Sequence, residues 1–524
     1  MSVSFTLDGR PVEVAREGVT LLEALREDLG VRSVKDGCSP QGQCGCCTVL
    51  VDGAARVACV TPVRRVAGRD VRTVDGIDEQ ARDRLVRAFV ASGASQCGFC
   101  TPGIVCRLAA LGPDPQPAKV ETALLAHLCR CTGWRSIVDA ATTAPYAAPT
   151  PGSARRAGIE GGVTQSTGPD VVLGRGGFAD DTAPAGCLVA VPVAGADPAG
   201  PDGWSVADTL AGARAAACKI QGRRSGEELT HPVDVPEGDW ALTLQTTWVE
   251  PAYLEPDASW CEPGGEPASP VANGGAFGAK SASVAPAAAR MLADRLGRPV
   301  RVVLSREDVV RLGPKRPPMA AGVDADGRGV LRLAGAGPAL LEAARAAAGP
   351  GVTVESVPVT GPAVSESIRA AGWAEGAVLA AVTAARAAGA DEVTVRTPEG
   401  AEATARVDVD DTGWPAAVSV TVAAGDPLDE VTLRSYVQGA AHMALGWVCS
   451  EGIAVGPDGI PDDLTIRSFG VLRAKDTPPI TVVIVAGGGE PVRVSDAAFA
   501  AVAAATWLAQ GLPSRWPTRR GARR

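Results

Sequence analysis

Several features that would place a chain in a common class are scarce or missing here. No block of like charge stands out. Lys and Arg number 50 against 59 Asp and Glu, for a formal charge of −9, and the one basic cluster is the terminal "RRGARR". Nucleic-acid binding needs a concentrated basic surface, so that class is excluded and the terminal arginines read as a solvated tail. Long apolar runs are missing as well. The most apolar helical stretch, "AAFAAVAAATWLA" at 497–509, is too short to span a bilayer, so no membrane partner is expected. The opening "MSVSFTLDGRPVEV" has no basic lead, apolar core or small-residue cleavage site. It reads as no secretory signal, and the expected location is cytoplasmic. Histidine occurs only three times. His127 and His442 lie in helical patterns and read as packed residues, and His231 sits in a Pro-rich turn. "LGRGGFA" at 173–179 has the wrong spacing for a dinucleotide fingerprint, so no FAD is expected in this chain. No internal repeat is visible.

What the chain has is cysteine, 14 in all, in a length of 524 residues that suits three or four domains. In a reducing compartment these are not disulfides, and clustered ones ask for a metal. "CSPQGQCGCCTVLVDGAARVAC", residues 38–59, holds five. Plant-type ferredoxins use C-x4-C-x2-C followed by a more distant fourth thiolate. Cys44, Cys47 and Cys59 fit, and Cys38 stands one residue too far upstream. Cys46 reads as a packed small residue or as a replacement ligand for Cys38. A second set, Cys97-Gly-Phe-Cys100 and Cys129-Arg-Cys131, has the CxxC…CxC form that zinc could also take. Cys106, Cys187, Cys218, Cys261 and Cys449 are isolated and read as buried small residues.

Around the first set, Val3, Phe5 and Leu7 alternate as in a strand, and Asp8-Gly9 turns the chain toward Val12 and Val14. Thr20 with Glu23 forms a capping box. Thr48–Val51, an Asp52-Gly53 turn and Val57–Val60 read as a second hairpin, and "DVRTVDG" as a further strand. From 78 to about 145 four short helices follow, with Thr101 and Pro102 suited to N-cap and N1. Residues 146–170 are poor in large apolar residues and read as a linker. Beyond them strand and helix signals mix, and a Gly/Ala-rich stretch at 334–352 reads as a divide between two lobes.

"GCSPQGQCGCCTVLVDG…AC", then "SQCGFCTPGI…HLCRCTGWRSI", resembles the two-cluster iron–sulfur subunit of the xanthine dehydrogenase/aldehyde oxidase family of molybdenum hydroxylases. The resemblance covers nearly all of residues 1–145. It implies that Cys38, Cys44, Cys47 and Cys59 hold an outer 2Fe-2S cluster. It gives Cys97, Cys100, Cys129 and Cys131 to an inner one, with Gln96 and Cys131 near a pterin. Later segments resemble the family's molybdopterin subunit. "NGGAFGAK" (273–280) matches a glycine-rich cofactor loop containing Gly274, Gly275, Phe277 and Gly278. "ESIRAAGWAEG" offers Arg369 as a pterin contact and "SYVQGAAHMALGW" offers Gln438. "GGGEPVRVSD" puts Glu490 at the family's catalytic base position. Glu255 in "YLEP" matches an architectural glutamate.

The implied fold is a multidomain α+β chain. It has a β-grasp ferredoxin-like domain at 1–77, a four-helix 2Fe-2S-binding domain at 78–147 and a linker at 148–170. Shortened α+β molybdopterin-binding domains follow at 171–335 and 336–524. The implied cofactors are two 2Fe-2S clusters and molybdenum–molybdopterin, with its cytosine dinucleotide form as one option. The implied reaction oxidises a small-molecule aldehyde or N-heterocycle with water-derived oxygen. Electrons would leave to a separate FAD subunit or another acceptor. The sequence departs from the family where a cofactor-contacting glutamine is missing between Trp260 and Asn273 and a serine- and glycine-rich pterin segment is not recognisable. The domain that normally opens this half is reduced to a trace around 170–235. Ser281 stands where purine-oxidising members carry a glutamate, which argues against xanthine. Two other readings stay open: a non-catalytic electron-transfer subunit completed by a second molybdenum subunit or a homodimer, and a zinc-stabilised scaffold.

Overall fold

The computed structural model describes residues 2–142, 150–218 and 228–519. The first unit is built on a five-stranded mixed sheet. Val3–Leu7 pairs antiparallel with Arg10–Val14 and parallel with Asp70–Arg72, which continues antiparallel to Thr48–Val51 and then Ala54–Val57. Thr20 accepts the Glu23 N–H at 3.2 Å and starts a short helix, Leu21–Glu23, that runs on as a π-helical turn, Ala24–Asp28. Val3, Phe5, Leu21, Leu25, Val49 and Val71 close its core. Cys38 and the loop to Cys47 project from one end of this sheet.

The next unit has the four expected helices: Glu79–Ala91, Thr101–Ala109, Pro117–Ala123 and Arg135–Thr142. The second starts one residue earlier than expected, with Cys100 as N-cap and Pro102 at the second helical position. Pro is tolerated there because the first-turn N–H groups have no intrahelical acceptor. This helix presses on the cysteine loop of the first unit. A Cβ at Gly103 would overlap the carbonyl oxygens of Gly45 and Cys46, so the two units meet backbone to backbone.

The remaining chain forms three four-stranded sheets. The first has the order 204–207, 188–192, 300–303, 258–261. The second runs 352–357, 329–334, 319–323, 242–245, and the third 393–396, 402–409, 415–423, 480–484. The stretch at 334–352, expected to divide two lobes, instead folds as the helix Pro338–Ala348. It connects two parallel neighbouring strands, as a parallel pair requires. Two helices, Glu430–Cys449 and Ser495–Ala509, pack together and are apolar around nearly their whole circumference, so they lie inside. Trp447 stacks on Phe499 at 5.3 Å, and Trp516 meets both Trp447 and Trp507 edge-on.

The expected linker is also corrected. Ser153–Gly161 is a helix against the 430–449 helix, with Arg156 and Glu160 buried. Its small and polar composition hid a segment whose stability comes from ion pairing and tertiary contact. Residues 146–149 of that expectation lie outside the described residues. Of the isolated cysteines, Cys106, Cys261 and Cys449 are buried, Cys187 is half-buried and Cys218 is exposed. His127 and His442 are packed inside, and His231 bonds to the Trp516 carbonyl at 2.9 Å. No helix among the described residues is long and apolar enough to cross a membrane.

Candidate functional site

Five thiols gather at the end of the first sheet, all buried. Cys38 contacts Cys44 and Cys59, and Cys59 also contacts Cys47, whose Sγ accepts the Cys59 N–H at 3.4 Å. The Gln41 N–H donates to Cys38 Sγ at 3.2 Å. The extra residue between Cys38 and Cys44 is absorbed by two left-handed positions, Ser39 and Gly42, which tighten the loop and return Cys38 to the group. Hydrogen bonds from Cys44 and Cys59 hold the Cys38 thiol well below its ordinary pKa, while the thiols that donate to it are raised. Thiolate, the metal-binding form, is thus favoured at one sulfur of the group. The Cys46 sulfur lies beside Gly37 and within hydrogen-bond reach of Cys44, with Cys129 of the second thiol set also nearby.

The second quartet forms between the helical unit and its CxC loop. Cys97 and Cys131 lie 3.6 Å apart, sulfur to sulfur. Cys100 donates to Cys129, whose pKa is pushed down to about 6 by that bond and by those from Thr132 and the Cys131 backbone. The CxC loop is fixed from the far half of the chain. Arg130 makes a two-pronged ion pair with Glu451, at 2.5 and 2.7 Å, and donates to the Pro251 carbonyl at 3.0 Å. The Trp134 indole donates to the Leu472 carbonyl at 3.0 Å. Arg130 and Glu451 are both almost wholly buried, so each would be left as an uncompensated charge without the other.

Next to the second quartet lies a cavity of about 1030 Å³. Four distant segments line it: residues 160–166, the loop 269–281, residues 366–370 and the pair Arg493 and Asp496. Gly275 separates cavity loop from thiols. Its φ is +80°, and a Cβ there would lie 2.8 Å from Cys97 Cβ and 2.9 Å from Cys97 Sγ, so only glycine lets the loop approach so closely. Asn273 ties the same loop down, donating to the carbonyls of Cys97 (3.3 Å) and Ser166 (3.3 Å) and accepting the Ser166 N–H at 2.7 Å.

Of the expected site residues, Gly274, Phe277, Gly278 and Arg369 line the cavity. The buried Arg369 guanidinium lies over the Phe277 ring at 4.6 Å and touches Met443 Sδ at 3.3 Å. Gln96 lies one layer behind the wall, its amide donating to Cys131 O (3.0 Å) and Ser435 Oγ (2.9 Å). Gln438 is not among the lining residues and donates to Ile480 O at 3.4 Å, while the backbone beside it packs on Gly133 and Cys131. Glu490 is not brought in at all. Its side chain is 92% exposed, with Arg155 at 3.9 Å. The reason is local: Val485 and Val492 bond back to Val422 and Ala424, so the glycines and Glu490 form a surface loop.

Among the lining groups that were not foreseen are Gln165, Glu160 and Glu366. Gln165 accepts from the Tyr436 hydroxyl at 2.5 Å and donates to Ala157 O. Glu160 takes the Ser495 hydroxyl at 2.6 Å and Arg156 at 3.1 Å. Glu366 opens onto the cavity near its mouth. Helical spacing in "SARRAGIEG" was the available signal for Glu160, masked by the surrounding Gly, Ser and Thr.

The cavity fits a bulky anionic pterin. It has the volume, a glycine-rich wall that admits a large group, and the cations Arg369, Arg493 and Lys280. Each thiol quartet supplies the all-sulfur donor set that a 2Fe-2S cluster takes. Comparison with known proteins agrees. Residues 5–64 match the model of a 2Fe-2S iron-sulfur cluster binding domain, 73–142 that of a [2Fe-2S] binding domain, and 270–395 that of a molybdopterin cofactor-binding domain. The nicotine 6-hydroxylase small subunit of Paenarthrobacter nicotinovorans is 39% identical over 149 residues, 28% of this chain and 90% of that protein. The xanthine dehydrogenase iron-sulfur-binding subunit of Escherichia coli O157:H7 is 38% identical over 146 residues, 26% of this chain and 91% of that one. The fold is that of the aldehyde oxidoreductase from Desulfovibrio gigas, with a TM-score of 0.71 at 16% identity, covering 99% of each chain. With both iron–sulfur domains and a molybdopterin-binding domain in one polypeptide, the chain belongs to the xanthine dehydrogenase/aldehyde oxidase family of molybdenum hydroxylases.

Proposed function

We propose that this protein oxidises an aldehyde or an N-heterocycle in the large cavity and passes the electrons out through the two thiol quartets. The observation that carries this reading is the shared wall at Gly275. It puts the cavity within one residue's thickness of Cys97 and Cys131. Bound there, a molybdenum cofactor would supply two-electron chemistry with water-derived oxygen, and 2Fe-2S clusters on the two thiol quartets would supply one-electron chemistry.

The chain's own residues divide the remaining work. Arg369 and Arg493 place positive charge where an anionic cofactor would lie. Gly274 and Gly278 leave room for it. Cys38, Cys44, Cys47 and Cys59 are the proposed ligands of the outer cluster, and Cys97, Cys100, Cys129 and Cys131 those of the inner one. The Gly103–Gly45 contact keeps the two groups close, which favours fast electron passage. The base role passes from Glu490 to Glu366. Among the carboxylates lining the cavity, Glu160 is engaged by Ser495 and Arg156, and Asp496 by Arg493 at 3.3 Å with Arg369 nearby, which leaves Glu366 uncommitted. A carboxylate within reach of the reacting oxygen takes its proton in such chemistry.

The exposed position of Glu490 favours a second reading, an electron-transfer subunit that serves a complete molybdenum subunit. Turnover with purified protein separates the two. The first reading expects substrate-dependent reduction of the clusters by this chain alone, using aldehydes and N-heterocycles such as nicotinate as substrates. Clusters that dithionite reduces but no substrate does would favour the second. The relatives named as subunits support a separate flavoprotein or other acceptor for the outgoing electrons.

A further inference from the structure

Lys280 belongs to the wall of the large cavity, and its buried ammonium donates to Glu255 Oε2 at 2.7 Å and to the Pro270 carbonyl at 2.8 Å. An ammonium has three N–H bonds, and these acceptors use two. Glu255 in turn forms part of the wall of a different, smaller cavity of about 120 Å³. That cavity lies between the first unit and the segment 178–214. Phe99, Asp36 and Asp181 line its interior, and it opens to solvent beside Glu23 and the exposed Ala211. The second carboxylate oxygen, Glu255 Oε1, is buried and has no hydrogen-bond partner in the protein. One ion pair therefore joins the two cavities, Lys280 lining the large one and Glu255 the small one, and leaves one buried carboxylate oxygen unsatisfied.

We propose that Lys280 and Glu255 are a proton relay from the large cavity to the small one, resting on the reading of the large cavity as the redox site. Hydroxylation with water-derived oxygen, R–H + H2O → R–OH + 2 e− + 2 H+, frees two protons in a cavity whose electrons leave on the Cys97 side to the oxidant, a flavoprotein or another electron acceptor. In the relay step a Lys280 N–H bond breaks as a Glu255 O–H bond forms. The amine then takes a proton from the large cavity, and Glu255 gives its proton to water in the small one. No electron moves, and Lys280 and Glu255 return to their starting forms. Electrons and protons thus leave by different routes.

The surroundings suit this. Burial pushes the Glu255 carboxyl up to about 7, against the pull of Lys280 and with help from Asp181 and Asp257. Lys35 also faces it but is held by Asp181 and the Arg32 and Gly174 carbonyls. Tyr253, beneath the Lys280 ammonium, spends its hydroxyl on Asp257. Glu255 must be ionised to accept a proton, so relay capacity rises with pH through about 7.

The test uses the holoenzyme with E255Q, E255D and K280M. In E255Q and K280M, with iron and molybdenum content and the visible cluster spectrum unchanged, kcat falls about a hundredfold with little change in KM. The rising limb of the pH profile near 7 disappears in E255Q and returns in E255D. Infrared difference spectra of the full chain across that pH range give a readout independent of turnover: a protonated-carboxyl band present in wild type and missing in E255Q. Wild-type kcat and pH profile in a metal-replete E255Q protein would overturn the relay, as would the lack of that band in wild type. Loss of molybdenum from the wild-type protein itself would instead count against the redox reading of the large cavity, and the infrared result would still decide whether Glu255 takes up protons.

Discussion

The thiol quartets and the large cavity are built in opposite ways. The eight quartet cysteines fall between residues 38 and 131, on loops whose turns are set by nearby residues such as Ser39, Gly42 and the N-cap at Cys100. The cavity draws on segments as far apart as Glu160 and Asp496, and its shape depends on how two helices and a glycine loop pack. Chemistry that rests on short spacing is set locally. Chemistry that rests on assembled walls depends on where distant segments come to lie, and the exposed Glu490 is the instance.

The comparison breaks most sharply at Cys131. C131S should remove the inner cluster and leave the outer one, seen as loss of one of two paramagnetic signals after reduction and of all substrate-driven cluster reduction. Next in size, E366Q should lower kcat about a hundredfold, the usual scale for a lost general base, while E490Q stays within about twofold of wild type. The reverse order of effects in steady-state assays would return the base role to Glu490. Leaving Glu451 without its partner in R130L should cost about 3–5 kcal/mol, read from the denaturation midpoint of the intact protein, because a buried charge is then unpaired. The smallest effect belongs to G275A. A methyl there must push the loop off Cys97, which should alter the inner-cluster signal while leaving the outer one unchanged.

Much of the first region was legible in the sequence. Cys44-x2-Cys47, CxxC and CxC are spacings that only a few metal sites use, and alternation at Val3, Phe5 and Leu7 marks a half-buried strand. The offset of Cys38 was legible as a problem but not as a solution, since Ser39 in a left-handed conformation is not something composition reveals. In the second region the loop 273–280 and Arg369 were found through the resemblance of "NGGAFGAK" and "ESIRAAGWAEG" to family segments, since a Gly-Gly turn or a single arginine is a weak signal by itself. Glu160 and Gln165 were not, because the surrounding Gly, Ser and Thr mask the helix that leads to them, and Glu366, though three residues from Arg369, carries no local mark of which way it faces. The helix at 153–161 was lost for a related reason: its hold on the fold is the ion pair of Arg156 with Glu160 and bonds to Val492 and Pro427, all set by tertiary structure.

Metal content tests the account at its centre. Anaerobically purified protein should carry four irons and one molybdenum per chain, with two distinguishable 2Fe-2S signals after dithionite. Protein with zinc in place of iron, or with four irons and no molybdenum after expression under molybdate-replete conditions, would contradict it.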